Sequence, residues 1–290
     1  MLKGIILAGG TATRLFPATT VVSKQLLPVY DKPMIYYPLT TLMEAGCRDI
    51  LVITNPENTR AYARQLEPLQ AAFNLLKVVR QDQPGGIAQA ITIAASNAHI
   101  SQGDRVFLIL GDNLFHGDGL RKQLQEAAAC NGGASLFMTQ VMDPERYGVA
   151  EFDEHDSLTR IHEKPQNPPS CWAVTGLYAY DDRCVDLVRS LRPSARGEVE
   201  ITDLNNAYLQ LSSLQSFKLS RSTAWLDTGT PDALLSASQY VQAIQHRSAS
   251  LVGCPELTAV ENGWLDPAAV RKTLEVRRDD YAVRVLRSLG

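Results

Sequence analysis

Gly4-Ile5-Ile6-Leu7-Ala8-Gly9-Gly10-Thr11-Ala12-Thr13-Arg14-Leu15, with its sequel Ser23-Lys24-Gln25-Leu26-Leu27-Pro28, decides how the rest of the chain is read. A short apolar run that needs both faces buried reads as a central strand, and this one empties into small residues that let backbone amides approach a ligand closely. Such a turn makes a phosphate cradle. Arg14 and Lys24 stand just past it, a bidentate guanidinium and a compact ammonium suited to dividing the charge of a polyphosphate. The expected ligand is a nucleoside triphosphate. The spacing fits neither the dinucleotide fingerprint G-x-G-x-x-G nor the P-loop G-x-x-x-x-G-K-[ST]. Taken alone, two glycines after a strand are also what a structural turn looks like.

Working outward, residues 36–45 carry apolar side chains at helical spacing and end at Gly46, a C-cap residue. Strands are expected at 50–54, 75–79 and 106–110, with helices at 57–69 and 87–98 between them. That alternation predicts right-handed crossovers and a Rossmann-like α/β fold: a mixed, largely parallel central sheet flanked by helices. Ligands bind at the carboxyl edge of such a sheet, and the cradle is expected there. From Ala134 the pattern changes to alternating strands at 135–141, 149–152 and 158–162, an antiparallel extension suited to a second substrate. A strand at 172–178 follows, then a helix ending near Leu211 and a closing stretch through Trp225-Leu226-Asp227. Pro231 starts a helix to about His246, and the tail reads as a helical subdomain. The expected parts are a nucleotide-binding core at 1–133, a part carrying the second substrate and completing the core at 134–230, and a helical C-terminal part at 231–290, an expected region of subunit contact.

At 290 residues the chain can bury a sizeable interior without staples. Its 45% hydrophobic and 20% charged residues exclude the disordered and fibrous classes. A formal charge of −3 gives no general attraction to nucleic acid or to a membrane surface, so anion binding must be local. The five cysteines are scattered, odd in number and without a C-x-x-C pair, which points to free thiols in a reducing compartment. No apolar run has the length of a signal-peptide core or a membrane span, and a cytoplasmic protein is expected.

Asp112 follows the most apolar strand of the chain, in Gly111-Asp112-Asn113, and Asp227 follows Trp225-Leu226. Carboxylates so placed beside a triphosphate suit Mg²⁺, a hard cation that wants oxygen ligands; an Asp after a strand is equally a helix-start residue. Gln81-Asp82-Gln83-Pro84-Gly85-Gly86 is, on composition, a turn.

The combination L-A-G-G-x-x-T-R-L, then S-K-x-L-L-P and Lys32-Pro33-Met34, resembles the sugar-phosphate nucleotidylyltransferase family, and within it the short form of the glucose-1-phosphate thymidylyltransferases. The likeness runs from Lys3 to near Asp266. It implies transfer of a thymidylyl group from dTTP to glucose 1-phosphate, giving dTDP-glucose and pyrophosphate, with Mg²⁺ and without a covalent intermediate, in a homotetramer at the start of dTDP-deoxysugar synthesis. By this resemblance Leu7, Gly9, Gly10, Thr11, Ala12, Thr13, Arg14, Gln25, Gln81, Pro84, Gly86 and Asp112 bind the nucleotide, with Gln81 and the Gly86 backbone meeting the base. Tyr147, Gly148, Glu163, Lys164, Val174 and Arg196 bind the sugar phosphate; Arg14, Lys24 and Lys164 are catalytic; Asp112 and Asp227 hold the metal. The alternatives are a nucleotidylyltransferase preferring UTP or another sugar 1-phosphate, and a non-catalytic nucleotide-sugar sensor.

The chain departs from the family's pattern at Ala12, where glycine is usual, and at Ser220, Ser222, Glu261 and the stretch His116-Gly117-Asp118-Gly119. In the family these last positions line a second nucleotide-sugar site. A carboxylate in place of a cationic diphosphate partner predicts weak feedback by dTDP-rhamnose.

Overall fold

The structure, a computed structural model, describes residues 1–10, 13–194, 197–248, 250–277 and 279–290. In chain order the strands are β1 (Leu2–Leu7), β2 (Pro28–Val29), β3 (Lys32–Pro33), β4 (Asp49–Thr54), β5 (Leu75–Arg80), β6 (Arg105–Leu110), β7 (Asn113–His116), β8 (Ala134–Gln140), β9 (Gly148–Phe152), β10 (Leu158–Glu163), β11 (Trp172–Asp181), β12 (Leu214–Lys218) and β13 (Ala224–Asp227). The α-helices are α1 (Tyr36–Glu44), α2 (Thr59–Leu66), α3 (Gln89–Ser96), α4 (Leu120–Ala129), α5 (Cys184–Ser190), α6 (Ile201–Gln210), α7 (Pro231–Ser248), α8 (Pro255–Glu261), α9 (Pro267–Glu275) and α10 (Asp280–Ser288).

Nine strands form the main sheet, in the order β10-β9-β11-β6-β1-β4-β5, with β8 beside β11 and β12 beside β8. The block β6-β1-β4-β5 is parallel throughout, as strands alternating with helices require. Strand β11 turns the sheet antiparallel: its C-terminal half lies against β6 and its N-terminal half against β9. The extension is antiparallel as expected, except that β12 runs parallel to β8, at Leu214↔Ala134 through Lys218↔Met138.

Both faces of the parallel block are covered, which explains why its strands read as continuous apolar runs. Neighbouring residues of one strand serve opposite layers. Ile6, Ile50, Phe107 and Ile109 pack under α1, α2, α4 and the C-terminal helices, whereas Ile5, Leu51, Val106 and Leu108 pack under α3, α5 and α6. The C-terminal helices contribute Val270, Leu274, Tyr281 and Val285 to the first of these clusters. The helix expected at 57–69 is α2 flanked by 3-10 turns at Pro56–Asn58 and Glu67–Ala72, because Pro56 and Pro68 interrupt the hydrogen bonding at both ends. All five cysteines are free thiols. No helix among the described residues is long and apolar enough to cross a membrane.

What aims the sheet at a ligand is a short ribbon at its carboxyl edge. Gly111 and Asp112 turn the chain out of β6 into β7, and β7 pairs antiparallel with β13, from Ala224↔His116 to Asp227↔Asn113. Two residues that are 115 apart in sequence, Asp112 just before β7 and Asp227 at the end of β13, thereby lie at the same end of a ribbon four residues long.

Candidate active site

The ribbon is fastened to the sheet by hydrogen bonds from both sides. Thr228 donates its amide (3.1 Å) and its hydroxyl (2.7 Å) to the Asp112 carbonyl. Asn113, 3% exposed, is the hub. Its Oδ1 accepts from the Trp225 indole N–H at 2.6 Å and from the Gly176 amide at 3.2 Å, while its Nδ2 donates to Asp112 Oδ1 at 3.1 Å. Gly176 is free to donate because the β11–β8 ladder breaks between Val174 and Tyr178. One buried amide therefore ties Asp112, β11 and β13 into a single arrangement.

Around this hub lies a cavity of about 400 Å³. Arg14, Asp112, Arg146, Lys164 and Asp227 bring charge to it, and Tyr147, Gly148, Glu163 and Val174 line its other side. Lys24, on the 3-10 turn Lys24–Leu26, forms an ion pair with Asp112 Oδ2. The Arg14 guanidinium and Asp227 Oδ1 both come within 3.1 Å of the point where a side chain on Gly229 would begin, so the glycine permits their approach. Burial raises the Asp227 carboxyl above its ordinary range, and the neighbouring Asp112 adds to the shift, against the opposing pull of Lys24, Arg14 and Arg146. Two carboxylates that line one cavity and raise the cost of ionising the second suit a cation there.

The donor set fits a hard divalent ion. Asp112 already accepts from Lys24 and Asn113, yet each carboxylate oxygen keeps lone-pair capacity. Among the described residues no group of three or more His, Cys, Asp or Glu gathers as a closed metal cage. A site of two carboxylates that leaves the remaining positions to phosphate and water is the way proteins hold Mg²⁺.

The sugar side is held by charge and by backbone. Glu163 Oε2 accepts from the Thr202 hydroxyl at 2.6 Å, and its Oε1 lies 3.6 Å from Lys164 Nζ. Lys164 has a φ of 43°, the left-handed region that side-chain-bearing residues seldom occupy, and its amide donates to the Tyr147 carbonyl at 3.0 Å. The Tyr147 ring packs edge-on to Trp225 with centroids 4.9 Å apart.

Other expected nucleotide residues lie beside this cavity rather than in its lining. Leu7 ends β1 and Gly9 and Gly10 follow it, with Gly10 and Asn55 exchanging two hydrogen bonds of 3.2 and 3.0 Å. Gln25 is buried and its Oε1 accepts from Tyr62 at 2.9 Å and from Ser23 at 3.0 Å, so it braces the Lys24 turn. Gln81 is buried against Gly9, Pro84 is exposed, and Gly86 has a φ of 95° with no room for a side chain beneath the Val199 carbonyl. Thr13 is exposed at the start of the turn that carries Arg14. Thr11, Ala12 and Arg196 lie outside the described residues. Residues not singled out from the sequence are Asn113, Arg146, Thr202, Asn205 and Trp225, all in the lining. Their neighbours in sequence hinted at them: Asn113 follows Asp112, Arg146 precedes Tyr147, Thr202 and Asn205 stand in the stretch that opens at Arg196, and Trp225 is two before Asp227.

A second cavity of about 470 Å³ opens at the far end of the ribbon, lined among others by Tyr37, Glu44, His116, Asp118, Arg121 and Glu261. Glu261 is paired with Arg121 at 3.0 Å, and burial pushes the Glu44 carboxyl up to about 7. Ser220 and Ser222 do not line it.

The family model described as nucleotidyl transferase matches residues 3–244. The chain is 51% identical over 276 residues to a glucose-1-phosphate thymidylyltransferase of Neisseria gonorrhoeae, covering 95% of this chain and 93% of that one. It is 49% identical over 281 residues to a glucose-1-phosphate thymidylyltransferase of Xanthomonas campestris pv. campestris, covering 96% and 94%. A solved Bacillus anthracis structure, described as a glucose-1-phosphate thymidylyltransferase in complex with sucrose, superposes with a TM-score of 0.75 at 40% identity, covering 83% of this chain and 95% of that one. A UDP-glucose pyrophosphorylase bound to UDP-glucose shares the fold at a TM-score of 0.70 and 22% identity, covering 83% and 98%. With its sheet, its paired carboxylates and its near-complete match to these relatives, the chain belongs to the nucleotidyl transferase family, as an enzyme of the group whose members are named glucose-1-phosphate thymidylyltransferase.

Proposed function

We propose that the protein transfers a thymidylyl group from dTTP to α-D-glucose 1-phosphate, releasing pyrophosphate and dTDP-glucose, the first step of dTDP-deoxysugar synthesis. The observation that carries this reading is the convergence of Arg14, Asp112, Lys164 and Asp227 on one cavity that Tyr147, Gly148, Glu163 and Val174 share. Cations and paired carboxylates on one side suit a polyphosphate with its metal, and a hydroxyl-bonded carboxylate beside a lysine suits a sugar phosphate.

In this reading an oxygen of the sugar phosphate forms a bond to the α-phosphorus, the bond from that phosphorus to the bridging oxygen breaks, and pyrophosphate leaves in line with the electron pair. No side chain becomes a covalent nucleophile; catalysis is positioning and charge neutralisation. Lys164 holds the attacking phosphate and Arg14 the departing pyrophosphate. Lys24 reaches the triphosphate from its pairing with Asp112. Asp112 and Asp227 would hold Mg²⁺, which supplies charge neutralisation between the phosphates when bound. Glu163, steadied by Thr202, accepts from sugar hydroxyls, and Gln81 with the Gly86 backbone meets the pyrimidine. The protein works in the cytoplasm as a homotetramer.

Pyrophosphate release from dTTP, UTP and dCTP, each with glucose 1-phosphate and other sugar 1-phosphates, with and without Mg²⁺, tests the proposal. The dTTP and glucose 1-phosphate pair is expected to be fastest and to require the metal. A preference for UTP or for a different sugar overturns the substrate assignment, and no turnover with any pair points to a sensor.

A further inference from the structure

Beside the glycine turn, two side-chain amides are locked against each other. Gln81 follows β5, its amide donating to the Thr54 carbonyl at 2.7 Å, and its side chain is 4% exposed. Its Nε2 donates to Gln89 Oε1 at 2.6 Å. The Gly85 amide donates to the same oxygen at 2.8 Å. Gln89 is the first residue of α3, a rigid mount, and the Gly85 carbonyl in turn accepts from the Val199 amide at 2.9 Å.

The consequence is a fixed direction for the Gln81 amide. With Nε2 committed to Gln89, Oε1 projects over the glycine turn, 2.3 Å from the point where a side chain on Gly9 would begin. It accepts no hydrogen bond from any described residue. Gln89 cannot reverse without setting its own N–H₂ against two N–H donors. Reversal of Gln81 would place its N–H₂ over the glycine turn and its oxygen against the oxygen of Gln89. A free glutamine can present either donor or acceptor to a ligand; this one is restricted to the acceptor.

We propose that Gln89 is the positioning residue that sets base selection, by holding Gln81 in the orientation that presents an acceptor to the imide N–H of thymine or uracil and rejects the ring-nitrogen acceptor of cytosine. This rests on the reading that Gln81 meets the base of a pyrimidine triphosphate. Leaving two acceptors opposed in a buried site is the kind of mismatch that discriminates most strongly between substrates of similar size. Gln89 does not touch the base; it acts through Gln81.

The test is kcat/KM for dTTP, UTP and dCTP with saturating glucose 1-phosphate in the wild type, Gln89→Leu, Gln89→Met and Gln89→Glu. Turnover of dTTP by the wild type is read first, so failure of the function proposal is seen before any variant is compared. In Gln89→Leu and Gln89→Met the ratio of dTTP to dCTP is expected to fall by at least about tenfold, mostly through KM, with UTP following dTTP. Gln89→Glu still offers an oxygen to both donors and is expected to keep the wild-type ratio. Gln89→Met carries the comparison if Gln89→Leu does not fold. A folded Leu or Met variant with an unchanged ratio, or one that loses all three substrates equally, overturns the proposal, as does loss of the ratio in Gln89→Glu.

Discussion

The two cavities lie at opposite ends of the β7–β13 ribbon, yet they handle charge in different ways. At the Asn113 end, Asp112 and Asp227 share a cavity and Lys24, Arg14 and Arg146 act on Asp227, whose carboxyl is held above its usual range by burial and by Asp112. At the His116 end, the Arg121 guanidinium is taken by Glu261 and Asn262, and one acid of the cavity, Glu44, is held near neutrality by burial. At one end a raised carboxyl stands among cations that line the cavity; at the other an arginine is paired and one acid is held near neutrality. The Asn113 end thus keeps like charges near each other at a cost in stability, which suits a site completed by a cation.

The sharpest way to break the comparison is to remove a carboxylate from the Asn113 end. Asp227→Ala is expected to lower kcat by about three orders of magnitude, the range seen when one preorganised charge is removed from a reaction site. Melting temperature should hold or rise, because a buried repulsion is relieved. A marked drop in melting temperature would show that Asp227 is structural.

A milder probe is pH. Because the Asp227 carboxyl is raised without a cation, the acid limb of kcat/KM should lie above the ordinary carboxylate range at low Mg²⁺ and move to lower pH as Mg²⁺ rises, since a bound cation favours the charged form. A limb that ignores the metal would separate Asp227 from the ion.

At the other end, Glu44 titrates near 7 in the fold against about 4.5 unfolded. Its folded value is raised, so its contribution to stability is complete below the unfolded value and is lost as pH rises through about 7. Glu44→Gln should remove that loss and raise stability at pH 8 by on the order of 2 kcal/mol, leaving kcat unchanged. Denaturant titrations at pH 5 and pH 8 check it. The smallest effect is expected from a ligand of the second cavity. With Glu261 paired to Arg121, dTDP-rhamnose at concentrations near the dTTP KM should change the rate by no more than about twofold. Potent inhibition would show that the pair opens for a diphosphate.

The parallel block was legible because Ile50–Thr54 and Val106–Leu110 are buried on both faces and bounded by turn residues. Strand β7 was not, since Asn113–His116 is too short to show a period and its partner lies more than a hundred residues away. The parallel pairing of β12 with β8 is invisible for the same reason: neighbouring strands leave no mark in sequence when the connection is long. At the site, Asp112 and the glycine turn announced themselves by standing after apolar runs. The joining of Asp112 to Asp227 rested on resemblance, and the pairing of Gln81 with Gln89 had no sequence signal at all, because an amide clasp has neither charge nor periodicity.

The ribbon also has a kinetic meaning. Half of the carboxylate pair emerges with Asp112 and the other half only with Asp227, and β7 has no partner until β13 arrives. Contacts so distant along the chain form late during folding. Recovery of activity after dilution from denaturant should therefore trail the return of helical signal, and a nascent chain released before Asp227 would carry a finished parallel block with no working centre.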